Sequence, residues 1–111
     1  MRVGTAFKAP APSRNSVDFD AVNRAAMAAL PAVLARLLPG GKRDGHEFVA
    51  LNPRRSDRHL GSFRINMRTG KWADFATGDK GGDLVSLIAY TEYKSQVDAA
   101  RLLAKMLGTQ S

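Results

Sequence analysis

Between Ser62 and Met67 the side chains alternate: Phe63, Ile65 and Met67 are apolar, while Arg64, Asn66 and, one step on, Arg68 are polar. A period of two marks a strand with one dry face and one wet face. The next residues, Arg68-Thr69-Gly70-Lys71, carry a glycine where a tight hairpin turn needs one, so the chain should reverse into a second strand from Trp72 to Ala76. Upstream, His46 to Leu51 contains Phe48 and Val49 and reads as a third strand. These segments predict a three-stranded antiparallel meander whose dry face the rest of the chain must cover.

The flanks read as helices. Asp18 is a good N-cap type, and Phe19, Val22, Ala26 and Leu30 follow at helical spacing. Pro31 then either kinks that helix or takes the first position of a second one. Val33, Leu34, Leu37 and Leu38 continue the apolar face as far as Pro39-Gly40-Gly41, a firm stop. After the meander, Thr77 to Gly82 forms a Gly-rich loop, and Asp83 caps a helix from Leu84 to about Tyr93. Ser95-Gln96-Val97-Asp98 fits a capping box. The last helix places Val97, Ala100, Leu103, Ala104 and Leu107 on one face and ends at Gly108. Met1 to Asn15 is rich in Ala and Pro without an apolar period and reads as a flexible tail. The fold class expected is α+β: one or two N-terminal helices, a three-stranded antiparallel sheet and two C-terminal helices, forming a single domain over residues 16–111.

A chain of 111 residues suits one domain that buries its own core. It has no cysteine, which excludes disulfides, thiolate metal sites, cysteine nucleophiles and iron–sulfur clusters. Only two histidines are present, and neither has a partner at zincin spacing or a marked nucleophile. Asp74, Asp79 and Asp83 could gather around a metal, but a hairpin and a helix cap need such residues anyway. The loop before Asp83 lacks the Lys-Ser/Thr ending of a P-loop, and no paired carboxylates stand out. No cofactor and no enzymatic activity are expected. The apolar run Ala25 to Ala35 is broken by Pro31 and too short to span a bilayer, and no apolar leader follows Arg2 and Lys8. A cytoplasmic protein without membrane contact is the expectation.

Charge points to a partner. Seventeen Lys and Arg against ten Asp and Glu give a net +7. Between Arg54 and Trp72 lie six of the basic residues, Arg54, Arg55, Arg58, Arg64, Arg68 and Lys71, with Asp57 the only acid. Arginine pairs with phosphate through a planar fork and stacks on bases. Arg64 and Arg68 share the wet face of the predicted strand. Arg54, Arg55 and Arg58 sit on a loop at its edge, where Lys42 and Arg43 could extend a phosphate track. Trp72, beside Lys71, could stack on a base of a single strand; the plainer alternative is that it packs in the core. Lys80 in the Gly-rich loop completes the candidate nucleic-acid-binding set. The bland alternative for the whole set is a solvated surface.

The order of residues also carries a resemblance. Leu51-Asn52-Pro53-Arg54-Arg55 is followed by Ser62-Phe63, then by Trp72 to Gly78, then by Gly81-Gly82-Asp83-Leu84-Val85, and Ser95 to Gly108 closes on a helix ending in Leu-Gly. From Phe48 to Gly108 this resembles the N-terminal zinc-binding (zinc-ribbon) domain of bacterial and phage DNA primases. There a strand ends in Leu-Cys-Pro-x-His, two more cysteines follow a hairpin, and Gly-Gly-Asp opens a helix. The ligand positions fall here on Asn52, Arg55, Phe75 and Gly78, none of them a usual zinc ligand. The resemblance therefore implies a zinc-free relative in which packing replaces the metal, with Phe75 as a core substitute and Arg55 as an added cation.

It further implies a non-catalytic DNA-binding module, single-stranded DNA first, in replication or priming of a phage, plasmid or mobile element. The chain ends at Ser111 without the family's catalytic domain, which suggests a stand-alone relative or a piece of a longer replication protein. The alternatives are an adaptor docking on a primase, helicase or polymerase, and the N-terminal fragment of a primase.

Overall fold

The computed structural model describes residues 17–55 and 59–108. The expected tail, Met1 to Asn15, and the loop residue Arg58 lie outside them. The class is α+β, with four helices and a five-stranded antiparallel sheet among the described residues.

Two helices come first, α1 (Phe19–Ala28) and α2 (Leu30–Leu37). Asp18 caps α1, its side chain accepting the amide of Ala21 at 3.0 Å. Pro31 does not kink one long helix; it sits in the first turn of α2, where its missing N–H costs nothing. Gly40, at φ +87°, helps end the helical segment.

The sheet is a simple meander, with strand order β1 (Lys42–Asp44), β2 (Glu47–Ala50), β3 (Phe63–Asn66), β4 (Trp72–Asp74) and β5 (Lys80–Gly81). It therefore has five strands where three were expected. β1 is a short charged hairpin arm with every residue exposed, and β5 is two residues inside the Gly-rich loop. Neither is long enough to show an alternation; both are held by pairing to a neighbour.

Two helices follow, α3 (Leu84–Thr91) and α4 (Gln96–Met106). Asp83 and Ser86 form a reciprocal capping box at the start of α3. Ser95 caps α4 by accepting the amide of Asp98 at 3.1 Å. Asn23 of α1 donates to the Asp83 carboxylate at 3.2 Å and accepts the amide of Val85 at 3.1 Å, fixing the first helix against the start of the third.

One core holds these parts together. Phe48, Ala50, Phe63, Ile65 and Trp72 project from one face of the sheet into a cluster that also contains Ala26, Leu34, Leu87 and Leu103 from the four helices. On α4 the inward positions are Ala99, Ala100 and Leu103; Val97, placed inward by its spacing, is exposed in the first turn. All four described helices thus lie on one face of the sheet, and no described helix covers the other, where Val49 is buried while Lys71 and Phe75 are exposed.

Candidate nucleic-acid interface

The pairing register defines the open face. Ala73 of β4 lies opposite Arg64 of β3 on one side and Lys80 of β5 on the other. Alternation puts Lys71 and Phe75, two residues either way along the chain, on the same face. Neighbouring strands are about 4.8 Å apart and i,i+2 positions about 6.7 Å apart. Ala73 is therefore the small floor of a patch bounded by Lys71, Phe75, Arg64 and Lys80. A shallow groove of about 200 Å³ runs over it, reaching Asn66 and Glu47. Phe75 is 72% exposed, a large aromatic ring held outward among cations.

Phe75 was expected in the core as a substitute for a metal ligand; the structure corrects this. Trp72 and Asp74 take the two inward positions of β4, so the residue after them must point outward. Trp72 is corrected the other way. It is only 5% exposed, its ring packs 4.7 Å from Tyr90 and edge-on to Phe63, and its indole N–H donates to Ser86 at 2.9 Å. No face of it is left for a base. Sequence reasoning missed Phe75, although the same alternation that buries Trp72 would have placed it on the wet side.

The cations divide into committed and uncommitted groups. Arg64 does lie on the open face, but its guanidinium donates to Glu47 at 2.8 Å and to Asp44 at 3.2 Å. Those hydrogen bonds raise its pKa further above the usual arginine value. Arg55 turns inward: its Nε–H donates to Asp74 at 2.9 Å and its Nη2 to Ser62 at 2.6 Å. It is a structural cation and adds no free charge to the surface. Lys71 and Lys80 are exposed and form no ion pair with the described residues. Arg68 is exposed in the β3–β4 turn, where its own amide donates to Asn66. Lys42 is exposed on β1, and Arg43 donates to the carbonyl of Gly45 at 3.1 Å.

Arg54 stands apart. Its guanidinium carbon lies 4.1 Å from the centre of the Tyr93 ring and 4.7 Å from that of Tyr90, so it stacks against two aromatic faces. The neighbouring Tyr93 first, then Tyr90 and the Asp79 carboxylate, raise its pKa above the usual arginine value.

Beneath the patch lies a polar cluster. The fully buried Asp74 carboxylate accepts from Arg55, from Asn52 at 2.8 Å and from the amide of Ala76 at 2.8 Å. Asn52 gives its other N–H to Tyr90, whose hydroxyl donates to Asp79 at 2.7 Å. Burial pushes the Asp74 pKa up, but the hydrogen bonds from Arg55, Asn52 and Ala76, together with the Arg55 charge, outweigh it and bring the value from 3.8 to about 2. Asp74 and Asp79 are thus joined through Asn52 and Tyr90, while Asp83 is engaged at the cap of α3. Among the described residues no group of three or more His, Asp or Glu is placed to hold a metal ion. No described helix is long and apolar enough to cross a membrane.

No protein-family model and no curated protein matches this chain.

Proposed function

We propose that this protein is a non-catalytic module that binds single-stranded nucleic acid, single-stranded DNA in the first instance, across the open face of its sheet. The observation that carries the reading is the outward Phe75 ring beside Ala73, with the exposed Lys71 and Lys80, in no ion pair with a described residue, around it. An exposed ring stacks on a base of any sequence, and flanking cations hold the phosphates. Few side chains on this face are arranged to read base edges, so sequence preference should be weak. The acidic pair Asp44 and Glu47 lies at the β1–β2 side and neutralises Arg64, which leaves Lys71 and Lys80 as the cations that flank the Phe75 ring. A setting in replication or priming of a mobile element rests on the resemblance of residues 48–108 to primase zinc-ribbon domains; the buried Asn52–Arg55–Asp74 cluster, at two of the positions matched to ligands, is compatible with a zinc-free relative.

The test is a salt series of fluorescence anisotropy with labelled single-stranded and duplex oligonucleotides. The expected result is preference for the single strand, with log affinity falling by about 0.7 per log salt for each phosphate contacted. Lys71→Ala with Lys80→Ala should lower that slope, and Phe75→Ala should weaken binding at every salt concentration. Absence of binding at low salt, together with a stoichiometric protein partner in a pull-down, would overturn the reading in favour of an adaptor role.

A further inference from the structure

We propose that Arg54 and Tyr93 together hold one nucleotide of the bound strand, the phosphate on the in-plane edge of the guanidinium and the base on the outer face of the tyrosine ring. This rests on the single-strand reading and adds a second contact point to it.

Three observations converge. The first is backbone conformation. Tyr93 has φ +56° immediately after the C-terminus of α3, and the next amide, Lys94, donates back to the carbonyl of Ala89 at 3.0 Å. This is a Schellman ending, in which the left-handed position is normally glycine because a side chain there is strained. A tyrosine has been placed where glycine would be the relaxed choice, and the residue is 66% exposed. Strain of this kind tends to sit at functional positions.

The second is what the ring touches. The Arg54 guanidinium carbon lies over both the Tyr93 and the Tyr90 ring, so the two tyrosines hold the charged group at this corner. A stacked guanidinium is held in one orientation before any ligand arrives, which suits bidentate contact with a phosphate.

The third is charge. Arg55 and Arg64 are tied to carboxylates, but Arg54 has no ion pair with any described residue. Of the 54–55 pair it is the arginine in no ion pair with a described residue, with the Asp79 carboxylate, held by Tyr90, as its nearby anion.

The stack also lies at the right end of the sheet. Tyr90 donates to Asp79, whose carbonyl accepts the amide of Asp74, the residue before Phe75. Tyr90 packs on the inward Trp72 while Phe75 faces the open side, so a strand contacting both would have to pass around the β4–β5 edge of the sheet.

The deciding variant is Tyr93→Gly, because it relieves the backbone while removing the ring. The expected result is an unchanged or higher melting temperature with binding of single-stranded oligo-dT weakened about ten-fold, the loss of one stacked base. Arg54→Lys, which keeps the charge but loses the planar fork, should also weaken binding. Addition of oligo-dT should shift the Arg54 Nε–H and Tyr93 ring resonances in NMR spectra. If Tyr93→Gly instead lowers the melting temperature and binds oligo-dT as the parent does, the ring is a packing element and the inference is overturned. If Phe75→Ala loses binding while Tyr93→Gly and Arg54→Lys do not, the sheet-face reading stands and this inference alone falls. If the parent binds no oligonucleotide at low salt, both fall.

Discussion

Arg55 donates its Nε–H to the carboxylate of Asp74 at 2.9 Å, and that carboxylate is completely shielded from solvent. A buried charge survives only when its partners replace the water it has lost. Here Arg55, Asn52 and the Ala76 amide do so, and the pair joins the loop after β2 to the end of β4.

This makes stability depend on acid. The Asp74 pKa is about 2 in the folded protein against an ordinary 3.8. A lowered folded-state pKa gives stability that is present above the unfolded value and lost as the pH falls through the folded one. Stability should therefore decline between about pH 5 and pH 2, by about 2 kcal/mol from this group. Urea midpoints measured across that range should fall for the parent, and the Asp74 contribution should vanish in Asp74→Asn.

Removing the cation alone should be worse than its partly exposed position suggests. Arg55→Ala leaves the carboxylate buried without its charge partner, at a cost of about 3 kcal/mol. Urea denaturation at pH 7 measures this directly. A cost below ~1 kcal/mol would mean that the cluster contributes little to stability.

Trp72 and Phe75 should separate folding from binding. Trp72→Ala should cost about 3–5 kcal/mol, as for other large residues removed from a core. Phe75→Ala should change stability by less than ~0.5 kcal/mol. Trp72 is the only tryptophan, so its fluorescence reports on itself. Saturating single-stranded DNA should leave that emission almost unquenched, whereas a stacked indole would be strongly quenched.

Gly81 is required by close approach. A Cβ built there would overlap both Ser86 Oγ and Trp72 Nε1, across the hydrogen bond those atoms share. Gly81→Ala should therefore cost roughly 1–3 kcal/mol by overpacking. A drop in melting temperature, with a change in the near-ultraviolet signal of Trp72, is the expected outcome.

The carboxylates on the open face should oppose binding. Asp44→Asn with Glu47→Gln frees Arg64 and removes two negative charges from the strand's surroundings. Affinity for single-stranded DNA should rise several-fold at low salt and lose that gain as salt screens the face. Unchanged affinity would place the bound strand beyond the reach of β1 and β2.

The chain's local chemistry settled much of this molecule. The alternation through Phe63 and Ile65, the Gly70 turn, and the Asp18, Asp83 and Ser95 caps are short-range signals, and each produced its element. Strands β1 and β5 left no such signal, because two or three exposed residues are extended only when a neighbouring strand pairs with them. The destination of each charge was also beyond the sequence. Arg54 and Arg55 are adjacent and chemically identical, yet one stacks on tyrosines while the other is sealed against Asp74. That difference depends on partners 19 to 39 residues away, brought close only when the sheet and α3 pack. Periodicity determined which residues could face solvent; long-range packing decided which of them would remain available to a ligand.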